Sequence, residues 1–422
     1  MFSSLQFINY RRVFLYSSLN SAAGWAGLLA TEWLVLDLTG SAAALGGMLG
    51  IQVAPIILIS LVGGSFADKF SERNILLTTS VLFIVLYASI YFTYKSGTLN
   101  FGVLAIFSFA LSTVGAIQGP VFTSLSIKVV PEERVANAIS LNSVTFNIGR
   151  LIGPLAAGLI IAATDTGTPF ICISALYFIV IVVLLQVRMN ELHQNASSRA
   201  SGNLREGFAY LSENRALYLP MFIAGIFTGL GMNFSLISAL MVRQVFQEDS
   251  RHLGFIGVLL AIGGLFGAGY VARLSVSGHK PRFSTMMLSG LSIGLFWIAA
   301  SIAPNFWSYA AIVIFVNFFH LVIMATANGI VAANAPIDLQ GRVYGIYLFI
   351  FHLCLAIGAP LVGYLAKEIG IRTTVGIGGS VVLLLSLLLL SNGKKVKLYN
   401  LYSFVAFLLR IFFCSDVESF SM

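Results

Sequence analysis

Twelve apolar stretches, each near the roughly 20 residues that a helix needs to cross a bilayer, succeed one another along the chain. They fall at about 13–36, 43–66, 75–94, 101–124, 139–162 and 169–187, then at 217–241, 253–275, 284–303, 306–333, 343–366 and 373–391. Lipid offers no partner to a free peptide N–H or C=O, so each stretch must satisfy its backbone internally, as a helix. The pattern predicts an all-α membrane protein of twelve transmembrane helices. With 9% charged and 58% hydrophobic residues, the chain has about a third of the charge usual in soluble domains.

The net charge of +8 does not mark a nucleic-acid binder, because the basic residues sit in short loops beside apolar runs and form no stripe. They read as topology determinants. With a cytoplasmic N-terminus, 18 of the 24 Lys and Arg residues fall inside, as the positive-inside rule requires. The opposite orientation inverts that ratio. Arg11 and Arg12 lead directly into a hydrophobic stretch too long for a cleavable signal, with no small-residue cleavage site. The expected location is the cytoplasmic membrane, multi-pass, with both termini in the cytoplasm.

Residues 188–216 break the apolar pattern. They are polar, Ser/Asn-rich and basic, as a linker would be, with a short interfacial helix expected from Leu204 to Leu211. The predicted organisation is a six-helix bundle over 1–187, a cytoplasmic linker over 188–216, a second six-helix bundle over 217–393, and a cytoplasmic or interfacial tail over 394–422. The halves echo each other. Pro131 and Pro336 precede the fifth and eleventh spans. Gly153-Pro154-Leu155-Ala156-Ala157-Gly158 is answered by Gly358-Ala359-Pro360-Leu361-Val362-Gly363. Lys69 has a counterpart in Arg273. All three echoes lie about 205 positions apart. Six spans per half give both halves the same orientation, so the repeat is parallel.

The loop after the second span holds Gly64, Asp68, Lys69 and Arg73 between two apolar runs. Its glycine lets helix ends approach, Asp68 suits a helix terminus or a cation, and Lys69 and Arg73 hold the loop at the cytoplasmic face. These residues resemble the G-x-x-x-D-[RK]-x-x-x-R motif of the major facilitator superfamily. In the fifth span Gly149, Gly153, Pro154 and Gly158, with Arg150 among them, resemble its antiporter motif G-x-x-x-G-P-x-x-G-G; Ser140 and Ala157 stand where glycines are expected. Leu38-Thr39-Gly40-Ser41 and Asn137-Ala138-Ile139-Ser140-Leu141-Asn142 resemble the bacterial exporter branch that includes the enterobactin exporter. The resemblance covers about residues 5–393. It implies two pseudo-symmetric bundles, alternating access, and a conformational-switch role for the Gly64–Arg73 loop. It departs at the fourth span, where residues 101–124 carry no charge; multidrug antiporters often carry an arginine there.

Charge within a span costs roughly 2.5–3.5 kcal/mol on insertion scales, so each instance is a functional candidate. Glu32 is either a proton-coupling carboxylate or a group solvated near the interface. Arg150 either binds an anionic substrate or carboxylate, or snorkels toward the cytoplasmic end. His320 and His352 suit proton exchange, or are packing histidines. Gln118, Asn147, Asn233 and Asn317 interrupt apolar runs and must avoid lipid, as must Asn20, Gln52 and Asn328. Trp25, Tyr344 and Tyr347 offer aromatic surface. Cys172, Cys354 and Cys414 have no ligand spacing and are expected to be packed free thiols; no metal site is expected. Gly263-Gly264-Leu265-Phe266-Gly267 lacks the lysine and preceding strand of a nucleotide loop, so it reads as helix packing. No cofactor is expected, and the chain is not read as an enzyme.

The expected function is secondary active export of a small amphipathic compound, siderophore-like or drug-like, with protons as the coupling ion, a bilayer around it and a monomeric state. Alternatives of the same fold are nutrient uptake and lysophospholipid flipping; a non-transporting membrane receptor is a further class.

Overall fold

A computed structural model describes residues 3–62, 71–188, 191–192, 210–211, 214–231, 233–278, 280–336 and 339–391. Gly64, Asp68 and Lys69 therefore lie outside the described residues, as do most of the linker and the whole of the 394–422 tail.

The described chain is helical: α1 (Ile8–Thr39), α2 (Ala42–Val62), α3 (Glu72–Lys95), α4 (Phe101–Lys128), α5 (Val135–Ala163) and α6 (Thr168–Leu185) form one set. The second set is α7 (Arg215–Gly231), α8 (Phe234–Leu240), α9 (Ser250–Val276), α10 (Phe283–Ser301), α11 (Phe306–Asn334), α12 (Gln340–Ile369) and α13 (Ile371–Ser391). Eleven spans are long and apolar enough to cross a membrane; α7 and α8, with the π turn Met241–Val245, together make one of them. The remaining helix, α1, is 32 residues long but less apolar, because it carries Glu32, Asp37 and a run of small polar residues.

Polar residues cap the helices, and two of these caps, Ser71 and Asp249, start α3 and α9 three residues before the predicted apolar stretch, whereas α4 and α11 start where predicted. The Asn100 side chain accepts from the Val103 N–H at the start of α4, and Asp249 accepts from Arg251 and His252 at the start of α9. Asn305 and Ser308 form a reciprocal capping box on α11. Such caps satisfy amide donors that have no partner within the helix. Gly40, at φ +60°, closes α1 with its N–H on the Leu36 carbonyl.

The seventh span departs from the expected continuous helix. It is interrupted at Asn233, which adopts φ −72° and ψ 64°. The Gly229 carbonyl accepts from the Asn233 side chain, whose Nδ2 donates at 3.1 Å. A break at membrane depth survives only when backbone groups are re-satisfied in this way.

The linker-side end of the bundle carries the N-terminus; the opposite, far end carries the α1–α2, α3–α4 and α5–α6 loops. The halves meet along two helix pairs, α2 with α12 and α5 with α9. Both seams are backbone-close and lie toward the far end. A methyl group on Gly158 would collide with the Ser250 carbonyl, and one on Gly363 with the Ala42 carbonyl. The sequence echo explains this pairing. Pro154 of α5 rests on Gly257 of α9, and Pro360 of α12 rests on Gly50 of α2. Gly153 abuts α1 at Ala22, while its counterpart Gly358 abuts α7 at Gly229. The glycines at 263 and 267 pack on Ile314 and Phe318 of α11, as the helix-packing reading requires. Cys354 packs beside Gly229, whereas Cys172 is exposed. It was expected to be packed, but an apolar span shows lipid one of its faces, and Cys172 is on that face.

Candidate functional site

A cavity of about 680 Å³ lies between the halves, within the range of small-molecule sites. The first half supplies most of its polar wall. Glu32 projects from α1 and is 2% exposed. Its Oε1 has no hydrogen-bond partner among the described residues, and the Ser235 side chain, just after the break in the seventh span, lies within interaction range of the carboxyl group. Gln52 Oε1 and Ser108 Oγ, also on the cavity wall, are likewise unpaired. Gln118 donates to Thr79 Oγ1 at 3.3 Å and so ties α4 to α3.

Arg150 reaches the cavity from α5. The small residues around it allow this. Gly149 and Gly153 let α5 close against Ser21 and Ala22 of α1, which brings the guanidinium over the Trp25 ring at 5.5 Å. Trp25 is in turn held edge-on by Phe146, with centroids 5.5 Å apart. The guanidinium donates to Asn317 Oδ1 at 3.4 Å. Asn317 is fully buried and binds the Leu260 carbonyl with its amide, so it braces Arg150 without lining the cavity. His320 meets Phe234 edge-on at 4.9 Å.

The structure thus gathers Glu32, Gln118, Arg150, Pro154, Asn233 and His320 onto one cavity. It places Asn147 and His352 elsewhere. Asn147 Nδ2 donates to the Ser143 carbonyl and His352 Nδ1 lies 2.8 Å from the Leu348 carbonyl. Each polar side chain is satisfied by its own helix and has no need of the bundle interior. Gly149, Gly153 and Gly158 act in helix contacts, and Tyr347 is turned to Met324. Arg73 donates to the Leu185 carbonyl at 3.0 Å, a contact within the first half. Sequence reasoning missed the aromatic wall of Phe83, Tyr87 and Tyr177. Phe83 and Tyr177 stack at 4.8 Å, and the Tyr177 hydroxyl donates to Asn20 Oδ1 at 3.1 Å. Their signal was one helical face: Phe83 and Tyr87 stand four apart on α3.

Toward the far end, contacts between the halves gather. Asp37 and Arg243 form an ion pair at 3.0 Å, with the Arg243 guanidinium 4.8 Å over the Trp33 ring. The Thr166 hydroxyl donates to the other Asp37 oxygen at 3.2 Å, and the Ser250 hydroxyl donates to the Gly158 carbonyl at 2.9 Å. Outside the spans, Asp165 pairs with Lys95 at 2.8 Å and accepts from the Gly167 and Thr168 amides. Burial alone would raise its carboxyl, but these donors outweigh burial and hold it below the usual carboxylate range.

A twin-bundle helical fold is one that known proteins share, and the comparison is decisive. The family described as transmembrane secretion effector matches residues 1–402. The chain belongs to that family of major facilitator transporters. It is 24% identical over 381 residues to the staphyloferrin A transporter of Staphylococcus aureus, covering 89% of this chain and 94% of that one. It is 25% identical over 381 residues to the multidrug efflux pump Tap of Mycolicibacterium fortuitum, covering 85% and 90%. Among solved structures, an inward-facing, occupied bacterial homologue of the human lysosomal transporter Spinster superimposes with a TM-score of 0.72 at 13% identity, covering 89% and 94%. The peptide transporter POT gives 0.73 at 12%, covering 92% and 94%. This chain is therefore a multi-pass membrane transporter and not an enzyme.

Proposed function

We propose that this transporter exports a small amphipathic compound across the cytoplasmic membrane by proton antiport, with both termini in the cytoplasm. The units are the bundles 1–187 and 217–393, joined by the linker 188–216. The carrying observation is Glu32: a dry carboxyl group with one unpaired oxygen, on the wall of a cavity between two half-molecules. A carboxyl so placed changes its charge at small cost when one side of the cavity wets, which is what coupling requires. The export direction is supported by the glycine-proline motif of α5, and by relatives of which one is named an efflux pump. The gathering of inter-half contacts at the far end supports reading the structure as the inward-facing state, with Asp37–Arg243 as the outer closure. The Gly64–Arg73 loop would then stabilise the alternate state.

The test uses everted vesicles loaded with the chain and energised by an imposed pH gradient. Accumulation of a dye or siderophore that collapses with the gradient is expected. Accumulation indifferent to the gradient removes the proton-antiport reading.

A further inference from the structure

Arg150 has a charge that the protein itself leaves unbalanced. Arg150 is half-buried on the cavity wall, and a guanidinium at membrane depth favours an anion or a full set of acceptors. Its surroundings are the Asn317 amide oxygen, the Trp25 ring and the neighbouring His320 imidazole. Among the described residues no carboxylate oxygen lies within 4.0 Å of it. Glu32 is the one carboxylate on the cavity wall, but it stands seven residues beyond Trp25 on α1. That spacing is about 10 Å of helix rise, too far for direct pairing. Five N–H donors in a planar fork thus meet one acceptor among the described residues, at the long distance of 3.4 Å.

We propose that the missing anion arrives with the cargo: the cavity takes amphiphiles with a carboxylate head, held by the Arg150 fork. Two observations fix the class and the orientation. Arg150 is the one Lys or Arg on the cavity wall, so its charge balances a monoanion; a dianion would leave one charge buried and unpaired. On the second half, α9 and α12 present Leu253, Ile256, Leu260, Phe351 and Leu355 to the cavity, an apolar stretch of wall that accepts an aliphatic or aromatic tail. The head therefore belongs to the first half and the tail to the second, so the cargo bridges the seam that must move. This division leaves Glu32 free to carry the proton.

The inference rests on the transport reading of the cavity, but its test is a binding preference, whereas that reading stands on efflux. The full-length protein in nanodiscs is titrated calorimetrically with 4-phenylbutyrate and with 4-phenylbutylamine, which share a tail and differ in head charge. The carboxylate is expected to bind at least tenfold more tightly. Arg150→Gln should erase that preference and Arg150→Lys should keep part of it. A preference for the amine, binding of neither compound at millimolar concentration, or a preference that survives Arg150→Gln would overturn the proposal. If Arg150→Gln does not fold, the wild-type ratio and Arg150→Lys decide the matter.

Discussion

At the residue scale, Glu32 and Arg150 share a cavity but have different tasks. Glu32→Gln removes the titrating group while keeping shape and a hydrogen-bonding head. We expect gradient-driven transport to fall at least tenfold while substrate exchange without a gradient persists; parallel uphill and exchange assays in proteoliposomes check this. Both residues were legible in the sequence, because charge in a span is expensive enough to demand a reason. The depth of Glu32 was less legible. Counting residues along α1 put it near an interface, and only the packing of the seventh span over it makes it dry. Asn147 and His352 looked equivalent to Gln118 and His320 for the same cause: sequence shows a polar side chain in a span but not whether its own helix carbonyl satisfies it. At the far-end loop, Asp165 is held below its unfolded value near 4. Such a group adds stability at pH above that unfolded value and loses it as the pH falls through the folded one. The thermal stability advantage of the wild type over Asp165→Asn should therefore be present at pH 7 and shrink toward pH 3.

At the element scale, the helices were readable and the break was not. Twelve apolar runs gave eleven helical spans and α1, with some bounds off by a few residues, since caps such as Ser71 and Asp249 lie outside the apolar stretch. The interruption at Asn233 left only a weak trace, Gly229-Leu230-Gly231 shortly before it, which elsewhere in this chain means close packing. Its consequence is specific. Asn233 replaces a backbone donor, so Asn233→Leu should strand the Gly229 carbonyl in an apolar interior, at about 1–3 kcal/mol. A lowered thermal unfolding midpoint in detergent is the expected readout, and Asn233→Gln should lose less than Asn233→Leu. The aromatic wall of Phe83, Tyr87 and Tyr177 escaped for a related reason: aromatic side chains suit both lipid and cavity.

At the scale of the whole molecule, the repeat about 205 residues apart set the architecture before any contact was known. What it did not disclose was which helices would cross. Pro154 and Pro360 occupy equivalent places at the two seams, so one sequence element builds both. Asp37→Cys with Arg243→Cys, placed where the two side chains now meet at 3.0 Å, should be joined across the far end by a bifunctional methanethiosulfonate. The linked protein is expected to lose transport and to regain it on reduction; undiminished flux while linked would show that this end need not open. The seams themselves have a thermodynamic consequence. Among the described residues, the polar links across the far end are few: the Asp37–Arg243 ion pair and the hydrogen bonds of Ser250 to Gly158 and Gln244 to Gly40. Two shapes joined by so slight a latch lie close in free energy, and each 1.4 kcal/mol of preferential affinity moves their ratio tenfold. A single bound molecule or proton is then sufficient to decide which side of the membrane the protein faces.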